Sequence, residues 1–187
     1  MGLPNLHASG VTISSVLIPE PFLTRQTIED LQFAALEHLA AEVAKQVKGA
    51  PALTFRDLMP ADLGFPNESW TEQTGTTEAA WETTQVSSDV LADDTWVVIW
   101  GVQEQSERPV YQGIRWEVGG ARIQQWSLTQ LWMVPSRTGF VLSPIVISKN
   151  KVMTVYGYVL PGAGPLGSVT IQYLGATAEL EGRALRP

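Results

Sequence analysis

The feature that most constrains this chain is the stretch from Thr95 to Val159. It opens Thr-Trp-Val-Val-Ile-Trp-Gly-Val and closes Met-Thr-Val-Tyr-Gly-Tyr-Val. Between lie short runs of β-branched and aromatic residues, broken by Gly, Pro, Ser and Asn. Such side chains fit a pleated, half-buried surface and the breakers supply turns, so the stretch reads as a compact antiparallel β domain. Trp96 to Val102 is a buried strand, with Trp96 and Trp100 on one face. Next, Ile114, Trp116 and Val118 alternate with Arg115 and Glu117, the two faces of another strand. Gly119-Gly120 is a hairpin signal, Ala121 to Ser127 returns, and Leu128 to Val134 is expected as the following strand. Phe140 to Ser148 holds Pro144 and reads as an edge or broken strand, because proline removes a ladder donor. Lys149-Asn-Lys151 turns into Val152 to Leu160, and Val169 to Leu174 and Thr177 to Leu185 supply late strands. Short strands spaced roughly 8–12 residues apart predict a mainly β chain built on an antiparallel β-sandwich or jelly-roll-like domain, residues 95–187.

Three segments precede that domain. Residues 1–24 contain Pro4, Pro19 and Pro21 around the run Val11 to Ile18, and read as an extended N-terminal arm. The arm is expected to pair with its own domain or with a neighbouring subunit. Residues 25–49 predict one long amphipathic α-helix. Ile28, Leu31, Ala35, Leu39, Val43 and Val47 recur at helical spacing, and Phe33, Leu36, Ala40 and Ala44 widen the face. Thr24 or Thr27 caps its start, Gly49 supplies a left-handed stop, and Pro51 prevents continuation. Residues 50–94 read as a connecting segment, with a helical turn over Phe55 to Met59 ended by Pro60. Trp70 and Trp81 stand isolated there among polar residues. Such tryptophans plug into a core or an interface, or form a sugar-stacking platform.

Composition narrows the chemistry. An apolar fraction of 44% over 187 residues fills a core unaided, and no cysteine exists to form a disulfide or a thiolate site. The N-terminal sequence lacks a basic region followed by an apolar run, and Leu6 stands where a myristoylation signal needs Ser or Thr. No stretch is apolar enough for a membrane span. Residues 1–100 hold 4 Lys/Arg against 14 Asp/Glu, and residues 101–187 hold 8 against 5. An acidic leading half and a mildly basic β half lack the concentrated basic face of a nucleic-acid binder. The asymmetry suits self-association or docking on a charged protein surface, or is simply a solvated acidic loop.

Candidate catalytic groups are sparse. His7 and His38 are far apart in sequence, and His38 reads as a helix-surface residue. Asp93-Asp94, with Asp89 nearby, offers oxygen ligands for Ca²⁺ but lacks the spaced loop pattern, so a turn with Asp capping is the preferred reading. Glu104, Glu107 and Glu117 are carboxylates that nothing in the sequence pairs across a cleft. Gly162 to Gly167 lacks the ending of a phosphate cradle and reads as a hairpin tip. Arg108, Arg115, Arg122 and Arg137 are scattered singly and suit ion pairs better than a phosphate track. No catalytic residue, cofactor or metal is therefore expected.

The proline-bearing arm of residues 1–24, the helix followed by Phe55-Arg-Asp-Leu-Met-Pro-Ala-Asp-Leu-Gly64, and the cysteine-free β domain together resemble virion structural proteins of tailed bacteriophages. Within the β domain, Arg122-Ile-Gln-Gln-Trp126 and Tyr173-Leu-Gly-Ala-Thr-Ala-Glu-Leu-Glu-Gly182 carry the likeness, which is closest to head cement or decoration proteins. The resemblance implies a β-sandwich body whose arm crosses to a neighbour, a homotrimer on the capsid surface, the major capsid protein as partner, and no catalysis. The residues expected at the interface are Val11, Ile13, Val16, Leu17 and Ile18 of the arm, with Trp70 and Trp81. Deleting residues 1–24 is expected to leave a folded domain that assembles poorly. A carbohydrate-binding β-sandwich module of a phage tail or baseplate, using Trp70 or Trp81, is the alternative.

Overall fold

The structure, a computed structural model, describes residues 16–49, 52–65, 69–73, 80–90, 95–161 and 168–181, and of residues 72–73 and 82–90 the backbone. In chain order its elements are β1 (Leu17–Pro19), α1 (Arg25–Gln46), β2 (Leu53–Asp57), β3 (Thr71–Gln73), β4 (Trp81–Val90) and β5 (Thr95–Glu104). There follow β6 (Tyr111–Val118), β7 (Ala121–Ser127), β8 (Thr138–Ile147), β9 (Val152–Val159) and β10 (Ser168–Leu180). One sheet runs β1-β8-β5-β10-β2, with β3 also on β10, and the other runs β4-β9-β6-β7. Every pairing is antiparallel. The two sheets face each other as a sandwich-like body, and α1 lies on the outer face of the first.

The apolar run of β5 is the reason for three layers. Val97, Ile99 and Val102 point into the core between the sheets, while Trp96, Val98 and Trp100 point outward. An outward face of that kind needs a cover, and α1 supplies it with Ala35, Leu39 and Val43, all fully buried. Ala176 and Ala178 of β10 keep the sheet surface low beneath the helix. A strand buried on both sides reads as a continuous apolar run, whereas β6 and β9, covered on one side, alternate. Fully burying a leucine such as Leu39 stabilises the packing by roughly 1.5–3 kcal/mol.

The helix is bounded as its sequence dictates. The Thr24 hydroxyl accepts from the Thr27 amide at 3.1 Å, the chain leaves α1 after Gln46, and Gly49 adopts φ 95°. Ile28, Leu31 and Val47 pack at the margin of the helix–sheet core. The widened face is corrected in part: Leu36 packs there, but Phe33 and Ala44 are exposed, because the helical period carries them roughly 120–140° round from Leu39, away from the sheet.

Other local readings differ too. Phe55–Asp57 lies in strand β2 rather than a helical turn, and Pro60 begins a 3₁₀ turn (Pro60–Leu63), since its missing N–H costs nothing there. Leu128 to Val134 is not a strand. A 3₁₀ turn (Leu131–Met133) lets Leu128 and Leu131 both reach the core. The two late strands are one, β10, bent by a bulge at Leu174/Gly175. Only glycine fits at 175, because a Cβ would collide with the Val98 carbonyl. Pro144 falls where β8 slips register against β5, among the residues 141–144 that stand against the single position 100. The segment 50–94 also contributes β2, β3 and β4, so the sheets draw on residues ahead of 95. Gly119 and Gly120, at φ 60° and 78°, make the β6–β7 hairpin, and Asn150, at φ 57°, makes the β8–β9 turn.

Candidate functional site

Among the described residues, several of the large exposed apolar side chains lie on or beside β1 and β8. β1 adds antiparallel to the edge strand β8, with Leu17 opposite Val141 and Pro19 opposite Gly139. Leu17 is buried in the inter-sheet core and packs over Gly139, where a Cβ would meet its side chain at 2.7 Å. Ile18 is half-buried, and Val16 is 63% exposed. Leu142 of β8 is 64% exposed and Phe22, in a 3₁₀ turn beside β8, is 74% exposed. Met133, at 80%, sits in the turn whose Leu131 closes on Gly139. These four and Phe33 (65%) are the large apolar side chains, among the described residues, that water reaches most fully. Beside them, Glu20, Leu23, Arg25, Ile28, Glu29, Gln32 and Phe140 line a groove of about 420 Å³ between α1 and β8.

The expected interface residues are thus divided. Val11 and Ile13 lie outside the described residues. Val16 is at the surface, Leu17 is core, and Ile18 is between. Removing residues 1–24 would therefore take away a core side chain along with the arm. Phe22, Met133 and Leu142 were not singled out from the sequence. Their exposure depends on which strand edge they border, which a local pattern does not reveal.

The two isolated tryptophans part company. Trp70 packs edge-on against Phe65 and Tyr173, with ring centres 5.1 and 5.7 Å away, at the margin of the inter-sheet core. Trp81 is half-exposed on the outer face of the four-stranded sheet, edge-on to Tyr158 at 5.3 Å. The Arg115 guanidinium lies 4.9 Å from its ring centre and 4.2 Å from that of Tyr156. Glu117 is 3.3 Å from the Arg115 Nε, one of the ion pairs anticipated for the scattered arginines. Arg56, which is not one of those arginines, bridges Asp62 and Glu179 at 2.6 and 2.7 Å, tying β2 to β10, and the Asp62 hydrogen bond holds its guanidinium above the ordinary value.

Of the remaining acids, Glu104 is 3% exposed, and Glu107 is at the surface. The Ser106 amide donates to one Glu104 oxygen at 3.0 Å, while the other finds no hydrogen bond and only Arg137 Nη1 at 3.9 Å. Burial pushes the Glu104 carboxyl above its ordinary value, against the opposing pull of Ser106 and Arg137. Glu117 faces the opposite sheet's outer surface, so it does not join Glu104 in a dyad. His38 is exposed on α1, and His7, Asp93 and Asp94 lie outside the described residues. Among the described residues, no three His, Asp or Glu side chains come together to hold a metal. None of the described helices is long and apolar enough to cross a membrane. Compared with known proteins, the chain matches no family model and no curated sequence.

Proposed function

We propose that this chain is a non-enzymatic virion structural protein of the capsid cement or decoration type. It reinforces a phage head by docking on the major capsid protein at the capsid surface and on copies of itself, as a homotrimer. The observation that supports this reading is the exposure of apolar side chains beside β1, on its ladder partner β8 and in the turns next to them (Val16, Phe22, Met133 and Leu142). Exposed apolar groups gathered at one place mark a contact surface, where scattered ones carry no message. Met1 to Ser15 carries no Asp, Glu, Lys or Arg, so desolvating it on a partner costs little electrostatic energy.

Light scattering on the purified protein tests the self-association. The full chain should give an oligomeric mass, and Phe22→Ser with Leu142→Ser, or removal of residues 1–15, should reduce it to the monomer. Cosedimentation with tailed-phage heads then tests the shell contact, and the same variants should stay at the top of the gradient. A full chain that neither self-associates nor sediments with heads would overturn the reading.

A further inference from the structure

The two sheets treat their outer faces differently. The outer face of the six-stranded sheet is aromatic, with Trp96, Trp100 and Phe140, and α1 covers it. The outer face of the four-stranded sheet is aromatic as well, with Trp81 on β4 and Tyr156 and Tyr158 on β9. Among the described elements none forms a layer over it, and all three rings remain half-exposed. A sheet face left to water normally carries polar side chains at these positions.

The geometry there is ordered. Tyr158 stands opposite Trp81 across the β4–β9 ladder, and Tyr156 stands opposite Arg115 across the β6–β9 ladder. The Arg115 guanidinium lies close to both the Trp81 and Tyr156 rings, its side chain 13% exposed, and its buried Nε makes no hydrogen bond. Glu117, beside it, neutralises the charge. On the far side of Tyr158 comes Gly113, which adds no side chain, and the Trp81 indole reaches to 3.9 Å from where its Cβ would stand, so glycine leaves room for the ring along the sheet.

Partly exposed aromatic rings, Trp81 edge-on to Tyr158, with a neutralised ion pair among them, match one ligand chemistry well. A pyranose ring offers a flat face of C–H groups for stacking and a rim of hydroxyls that want donors and acceptors. Tyr156 and Tyr158 hydroxyls, the guanidinium and the carboxylate provide both. An aliphatic protein surface finds its counterpart instead around β1, where Val, Leu and Met protrude. The internal cancellation of charge between Arg115 and Glu117 leaves no free cation there, among the described residues, to favour an acidic sugar, so an uncharged one is the match. We propose that the outer face of the four-stranded sheet is a binding site for a neutral oligosaccharide, stacked on Trp81 and Tyr156, with the Arg115–Glu117 pair serving its hydroxyls. This site is separate from the surface around β1 and stands or falls independently of the capsid reading.

Calorimetric titration of the full chain with cellohexaose, laminarihexaose and chitohexaose is the test. At least one sugar should bind, and Trp81→Ala and Tyr156→Ala should each weaken it by roughly tenfold or more with the thermal transition retained. Phe22→Ser with Leu142→Ser should bind as the parent does. If Trp81→Ala fails to fold, Tyr156→Ala and the sugar-induced shift of the Trp81 indole N–H resonance decide. Absence of binding by all three sugars, or binding indifferent to Tyr156→Ala, overturns the proposal. So does a result in which these variants change the self-associated mass and not sugar affinity, since the face would then be a protein contact.

Discussion

Glu104 is where the chain should feel pH through a single side chain. Burial raises its folded pKa, so the folded state holds a proton that the unfolded state releases at its ordinary value of 4.5. Its contribution to stability is therefore intact below 4.5 and declines as pH rises through the folded pKa. Glu104→Gln removes that decline. Its melting temperature should exceed the parent's at neutral pH, and the difference should close as pH is lowered through 4.5, measured by calorimetry across the range. A second residue-scale expectation concerns Gly175, whose position in the β10 bulge leaves no room for a methyl beside the Val98 carbonyl. Gly175→Ala should cost about 1–3 kcal/mol in urea unfolding, from overpacking against backbone that cannot yield.

At the scale of the element, β1 separates two roles that a single segment combines. Leu17→Ala should lower stability by about 2–5 kcal/mol, the usual cost of emptying a core site, while Val16→Ser should leave the urea midpoint near the parent's. A truncation at residue 15 should keep the melting temperature that a truncation at residue 24 loses. The difference could not be read from Val11 to Ile18, where apolar and polar residues mix without a dominant period. The helix was legible because six apolar residues hold one period between a threonine cap and a glycine stop. The Gly119-Gly120 and Asn150 turns were legible because left-handed backbone restricts the residue choice. Leu128 to Val134 misled because β-compatible side chains also serve a turn that buries every third residue. As for Trp81, the sequence marked it as unusual, but its platform needs Arg115, Tyr156 and Tyr158, which only the register of β4, β6 and β9 brings together.

For the whole molecule, the prediction is an oligomer dispersed by Phe22→Ser with Leu142→Ser and unaffected by Tyr156→Ala, read by light scattering at matched concentration. The sandwich itself was legible as a class, from strand count and breaker spacing. The long helix reads from sequence as packed across the base of the domain, but which sheet it covers is not legible, because a helix stripe states that it must be covered without stating by what. The helical layer has a consequence for synthesis. α1 leaves the ribosome long before β10, yet β10 lies between β5 and β2 in the sheet on which α1 rests. The nascent helix therefore has no complete surface to settle on until about residue 180 has emerged, and its apolar stripe remains open to chaperones throughout. A message cut short before β10 yields a polypeptide with an unfinished sheet and an uncovered helix, so quality control can sort full-length products from fragments by exposed leucine and valine alone.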